Sequence, residues 1–213
     1  MNASQREEED WIYLNHCIED RDVGAIKQWF EPGNHRDRTK LQLFTNVRNP
    51  VSLAAVGGDE EIFDLLVSQG FDPLTPDLLD GVWQRKPIHL AVSSGHGNLA
   101  TKLLTDYGVN VESRDETGRT PLHWAAITGQ VELTRKLLAF GACVNAAEGD
   151  SSTPLHYAAE AGNGGVCKIL MSNSADVNLK DNKGLSPLHY AVRSQPPSVH
   201  VPSSAVANHE SLC

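Results

Sequence analysis

Apolar and polar positions in this chain follow one long period. Prolines stand at Pro50, Pro87, Pro121, Pro154 and Pro187, at intervals of 37, 34, 33 and 33 residues. An apolar-dense stretch follows each, as in "PLHWAAITG" and "PLHYAAEAG". Eight residues after each of the first four prolines comes a glycine: Gly58, Gly95, Gly129 and Gly162. Eight residues further on, Leu66, Leu103, Leu137 and Leu170 occupy a second run with helical spacing. The pattern predicts a short helix, a glycine-marked turn, a longer helix and a polar loop, repeated. Proline suits the first turn of the first helix, where a missing N–H breaks no hydrogen bond.

A unit of about 33 residues carrying "TPLHWAA", then "LL", then "GACVN" or "SADVN" resembles the ankyrin repeat. The resemblance is close over residues 86–192 and looser over 49–85, while "WIYLNHCIEDRDVGAIKQWF" (11–30) is similar to a degenerate N-terminal helix pair. It implies an all-α ankyrin-repeat solenoid of stacked helix-turn-helix units with hairpin fingers, in which neighbours complete each unit's core. The organisation expected is an acidic N-terminal segment (1–10), the degenerate helix pair and its loop (11–48), four two-helix repeats plus a partial fifth (49–192), and a disordered Ser/Pro-containing tail (193–213). Several positions depart from the pattern. The loop "FDPLTPDLLDGVWQRKP" is four residues longer than the period requires, and "LLTDYGVNVE" has one extra residue before Gly108. Ser174 stands where Gly141 would take a left-handed turn cheaply, and Ser151 where the finger tips have Gly118 and Gly184.

Charge and cysteine usage narrow the functional classes. With 18 Lys+Arg against 27 Asp+Glu, the formal charge of −9 disfavours nucleic acid and anionic lipid as partners. No apolar run approaches the roughly 20 residues needed to cross a bilayer. Cys17, Cys143, Cys167 and Cys213 are scattered without a CxxC pair, and the N-terminus lacks a secretory signal pattern. These features point to a reducing compartment, the cytoplasm or the nucleus.

His89, His123, His156 and His189 recur at one place in the unit. A metal site is excluded by geometry. Successive repeats lie about 10 Å apart, whereas zinc ligands must all come within about 2.0–2.3 Å of one ion. No acid, serine or cysteine recurs at a spacing suited to a triad. The resemblance implies instead that each imidazole fastens its repeat's opening turn together with the Thr hydroxyl. Trp124, Tyr157 and Tyr190, which follow the histidines, are expected in the packing between repeats. Neither catalysis, cofactor nor metal is expected.

The resemblance also implies a protein partner held on a concave surface of fingers and exposed first-helix positions. By register these are Arg114, Glu116, Arg119, Ile127 and Thr128, then Asp150, Ser152, Glu160 and Ala161, then Lys180, Asn182, Lys183 and Leu185. Trp83, in the enlarged first finger, is either an interface anchor or part of a small core with Leu78, Leu79 and Val82. Asn178 and Asn145 match the family's site of asparaginyl hydroxylation; a hydrogen-bonded turn asparagine is the other role for each.

The fifth unit stops after "SPLHYAV", and Pro196, Pro197 and Pro202 interrupt any helix beyond it. Its apolar Leu188, Tyr190, Ala191 and Val192 need cover from the tail, from a partner, or from residues lost by truncation. The expected function is that of a monomeric protein-interaction scaffold or adaptor. The alternative is the targeting or substrate-recognition part of a larger enzyme or channel, such as a ubiquitin-ligase adaptor, in a truncated or alternatively terminated form.

Overall fold

A computed structural model of the chain describes residues 3–31, 48–76 and 84–194, with side chains from residue 8 onward. Trp83, Leu78, Leu79, Val82 and the tail from residue 195 lie outside the described residues. Among those described are eleven helices and no strand, an all-α arrangement of helix pairs as expected. The chain divides into two compact units, Met1–Thr117 and Gly118–Cys213.

The first unit holds α1 (Ala3–Glu19), α2 (Val23–Trp29), α3 (Pro50–Gly57), α4 (Glu60–Ser68), α5 (Pro87–Ser93) and α6 (Gly97–Thr105). Side chains that accept from otherwise unpaired N–H groups set the helix starts: Asp22 caps α2, Asn49 caps α3 and Asp59 caps α4. Such caps contribute about 1 kcal/mol each. Helix α1 packs on α2 and α3, and α3 packs on α4 and α5. The degenerate pair closes its end of the core with aromatic rings. Trp11 lies 4.9 Å from Trp29 and 6.0 Å from Phe71 between ring centroids. Burial of aromatic area supplies here what a consensus repeat obtains from aliphatic side chains.

The extra residue in "LLTDYGVNVE" has a structural use. Tyr107 donates its phenol hydrogen to Asp64 Oδ1 at 2.6 Å, and Lys102 pairs with the other carboxylate oxygen of Asp64. The insertion thus ties the end of α6 back to α4. Burial, then the bond to Asp64, raises the Tyr107 pKa.

The second unit holds α7 (Pro121–Thr128), α8 (Val131–Ala139), α9 (Pro154–Glu160), α10 (Gly164–Ser172) and α11 (Pro187–Ser194). First helices stack in the order α7, α9, α11, and α8 packs on α10. Leu122, Leu137, Leu155 and Leu170 form the core between them, and full burial of each such side chain stabilises by about 1.5–3 kcal/mol. Gly129, at φ 73°, ends α7 in a left-handed turn. Ser174 adopts φ 67° and Ser151 φ 62°, the conformations their glycine-like positions require.

Candidate protein-binding surface

The histidines are placed by the helix starts. In α7 the Thr120 N–H donates to His123 Nδ1 at 3.1 Å, and the Thr120 hydroxyl lies 2.9 Å from the same nitrogen. An Nδ1 that accepts a main-chain hydrogen bond leaves the proton on Nε2. That nitrogen lies 3.2 Å from Ser152 O in the next finger. His156 repeats the arrangement with Thr153 and Leu185 O, and His89 with Lys86 N–H and Ser113 O. Each imidazole therefore closes its own turn and grips the following finger. Desolvation holds His89 down to about 4, because no water reaches the charged form. His189 keeps the Ser186 contact at Nδ1 but is exposed, and its Nε2 has no partner among the described residues.

Of the aromatic residues that follow the histidines, Tyr157 and Tyr190 lie between repeats, as expected. His123 meets Tyr157 edge-on at 5.9 Å, and His156 meets Tyr190 at the same distance. Trp124 and Tyr190 are buried and Tyr157 is half-buried.

The expected contact residues divide into several groups. Arg114 and Glu116 are exposed on the first unit. On the second, Thr128, Asp150, Glu160, Ala161, Lys180, Asn182 and Lys183 are exposed, while Ile127 and Leu185 are half-buried. Ser152 departs from the expected exposure and is buried. Its N–H faces Glu148 Oε1 and its carbonyl is the acceptor for His123, so it belongs to the framework. Arg119 is braced. Its guanidinium lies over the Tyr157 ring at 5.0 Å and the Trp124 ring at 5.5 Å, and donates to Tyr157 Oη at 3.0 Å. Adjacent fingers of the second unit are joined at their tips. Asn182 N–H donates to Asp150 O at 2.9 Å, and the Ser151 hydroxyl donates to Asn182 Oδ1 at 2.8 Å. The arrangement presents charged side chains of both signs from a hydrogen-bonded base.

The two asparagines differ. Asn145 bridges to the following turn, accepting from Asp176 N–H at 2.9 Å and lying 3.4 Å from Ser174 O. Asn178 is exposed, and its backbone N–H donates to Asp176 Oδ1.

Two residues missed in the sequence reading carry long-range contacts. His96 Nε2 lies 2.8 Å from Val56 O, and Asn163 Nδ2 donates to Ala126 O at 2.8 Å. Each follows the turn glycine of its repeat and reaches back to the preceding one. A polar side chain at that fixed place was the signal. Among the described residues no group of His, Cys, Asp or Glu is arranged to hold a metal, and no helix is long and apolar enough to cross a membrane.

Comparison with known proteins agrees with this geometry. The sequence matches the family model of ankyrin repeats (3 copies) over residues 51–148 and 136–201. Over 55 residues it is 46% identical to protein phosphatase 1 regulatory subunit 27 of Mus musculus, covering 26% of this chain and 35% of that protein. It is 31% identical over 139 residues to the E3 ubiquitin-protein ligase KEG of Arabidopsis thaliana, covering 61% of this chain and 8% of the ligase. The inactive serine/threonine-protein kinase TEX14 of Mus musculus is 34% identical over 91 residues, 43% of this chain and 6% of that protein. The chain thus spans about a third of the phosphatase subunit and a small fraction of the other two.

Proposed function

The chain belongs to the ankyrin-repeat family, and from that membership we propose that it acts as a non-catalytic scaffold or adaptor. It binds a protein partner through the fingers and exposed first-helix positions. The observation that supports this most is the contrast within the second unit. Framework groups such as His123, Ser152 and Thr153 are buried and mutually bonded, while Asp150, Glu160, Lys180 and Lys183 stand exposed beside them. A rigid base that presents chemically varied side chains is suited to recognition. Arg119 contributes by bracing Tyr157, and Arg114 and Glu116 are exposed charged residues of the first unit. In this reading the chain is monomeric, resides in the cytoplasm or nucleus, and uses neither nucleic acid nor cofactor. Trp83 is an additional anchor, and Asn178 is better placed than Asn145 for hydroxylation because it is exposed, whereas the Asn145 amide bridges to Asp176 N–H and Ser174 O.

A second reading is that the repeats serve as the targeting region of a larger enzyme. It is favoured by the similarity to a small part of a ubiquitin ligase. Affinity capture separates the readings. Thr128→Ala, Asp150→Ala and Glu160→Ala combined should lower recovery of the captured partner at least tenfold with unchanged melting, and Trp83→Ala should weaken it further. Unaltered recovery with both variants would place binding elsewhere. Co-purification of ligase activity with the full-length gene product would favour the second reading.

A further inference from the structure

In the second unit no described residue lays a helix on the far side of α11. Leu122 of α7 is 0% exposed and Leu155 of α9 is 2% exposed, because α9 and α11 lie on them. Their counterpart Leu188 on α11 is 51% exposed, and Val192, one turn on, is 66% exposed. Val177 adds a third exposed apolar side chain from the preceding turn. The same stack has therefore already specified the shape of what covers such a face: a helix laid alongside.

Three further observations define that helix. The exposed positions of α10 are Gly165, Lys168 and Ser172, which offer no apolar surface, so a single helix fits rather than a helix pair. Between Ser172 and Ser194 the exposed charges are Lys180, Lys183 and Arg193 against Asp176 alone, so this stretch is locally basic in a chain of net charge −9. His189 Nε2, whose counterparts reach Ser152 O and Leu185 O, has no acceptor among the described residues. The last carbonyls of a helix lack internal partners and carry the negative end of its dipole. We infer that the far side of α11 docks one amphipathic helix with acidic flanks, presented by another protein, with its C-terminal carbonyls toward His189. Three apolar side chains fall well short of the roughly 1,000 Å² of a stable interface. The contact is transient and steered by charge.

The test uses the full chain and two synthetic helical peptides sharing one Leu/Val face, one flanked by glutamate and the other by lysine. Calorimetry should show the acidic peptide binding at least tenfold more tightly, with affinity falling as salt rises. Leu188→Asp with Val192→Asp should abolish binding without changing the melting temperature, since both side chains are already exposed. Lys180→Glu, Lys183→Glu and Arg193→Glu together should reverse the preference toward the basic peptide, an outcome that misfolding cannot imitate. Equal affinity for the two peptides, or no binding, would overturn the proposal. So would sedimentation showing self-association lost in the Leu188/Val192 variant, which would make a second copy the occupant. If binding appeared only after removal of residues 195–213, the occupant would be the chain's own terminal segment.

Discussion

Tyr190 donates its phenol hydrogen to Asp181 Oδ2 at 2.6 Å, joining the last helix to the base of its own finger. The other oxygen, Oδ1, accepts the N–H groups of Lys183 and Leu185, each at 2.9 Å. Burial works against ionisation of Asp181, but these hydrogen bonds outweigh it and hold its pKa below the ordinary value. The same bond, followed by burial, pushes Tyr190 up to about 12. Asp181 therefore stabilises the fold above the ordinary carboxylate pKa, and that contribution is lost as pH falls through its lower folded value. Tyr190 stabilises below its ordinary value near 10, and the contribution is lost between there and about 12. Tyr190→Phe should cost about 1–2 kcal/mol at neutral pH and flatten the alkaline limb. Melting temperatures from pH 8 to 12 provide the check; an unchanged alkaline slope would refute it.

His89 gives a second pH dependence with its own sign. Its folded pKa of about 4 lies below the ordinary 6.5, so the unfolded state takes up the proton first. Stability from this residue is full above 6.5 and declines as pH falls toward 4. A His89→Gln variant should lose stability at neutral pH and show a weaker decline between those values. Parallel wild-type and variant curves would rule this out.

Position along the stack should grade the histidine fasteners. His123→Ala leaves the buried Thr120 N–H without its acceptor and removes one of the two hydrogen bonds to the Ser152 carbonyl, and should cost on the order of 1–3 kcal/mol. His189→Ala removes only an exposed contact and should cost less than about 1 kcal/mol. Urea denaturation at pH 7.5 compares them, and equal losses would contradict the assignment.

The two non-glycine turns should respond differently to glycine. Ser174→Gly relieves a left-handed conformation and should stabilise by up to about 1 kcal/mol. Ser151→Gly relieves the same strain but removes the bond to Asn182, so its gain should be smaller or absent. Melting of both variants decides it; a larger gain at Ser151 would show that the finger-tip bond contributes nothing.

Glycine contacts permit a matched comparison. Gly129 and Gly162 both have positive φ, yet a Cβ at Gly129 would meet Asn163 Oδ1 at 2.8 Å while one at Gly162 meets nothing within 4 Å. Gly129→Ala should therefore cost more than Gly162→Ala by about 1 kcal/mol, the scale of one displaced hydrogen bond. Thermal unfolding of the pair measures the difference, and equal costs would mean that Asn163 yields freely.

The repeat was legible because backbone geometry dictates its punctuation. Proline at a helix start and glycine after α7 answer to φ alone, so they mark the unit whatever the neighbouring side chains do. The histidines were legible for a similar reason, since each stands three residues after the N-H it accepts. Depth in the surface was not. Ser152 has the register of an exposed finger residue, yet its carbonyl is a buried acceptor. Arg119 has the register of a contact residue, but its side chain folds over Trp124 and Tyr157. Tyr107 read as a loop irregularity because its partner Asp64 lies 43 residues away and has no periodic signature.

Asn163 reaches back to Ala126, while His123 in that preceding repeat reaches forward to Ser152. Both links join one repeat to the next through main-chain carbonyls, which every residue supplies. Duplicating a segment of one whole period would therefore restore both links at the new junction, whatever side chains the copy later acquired. Duplicating half a period would sever both. A gene for such a protein can lengthen in whole steps and then diverge at its exposed positions, with little need for compensating changes at each seam.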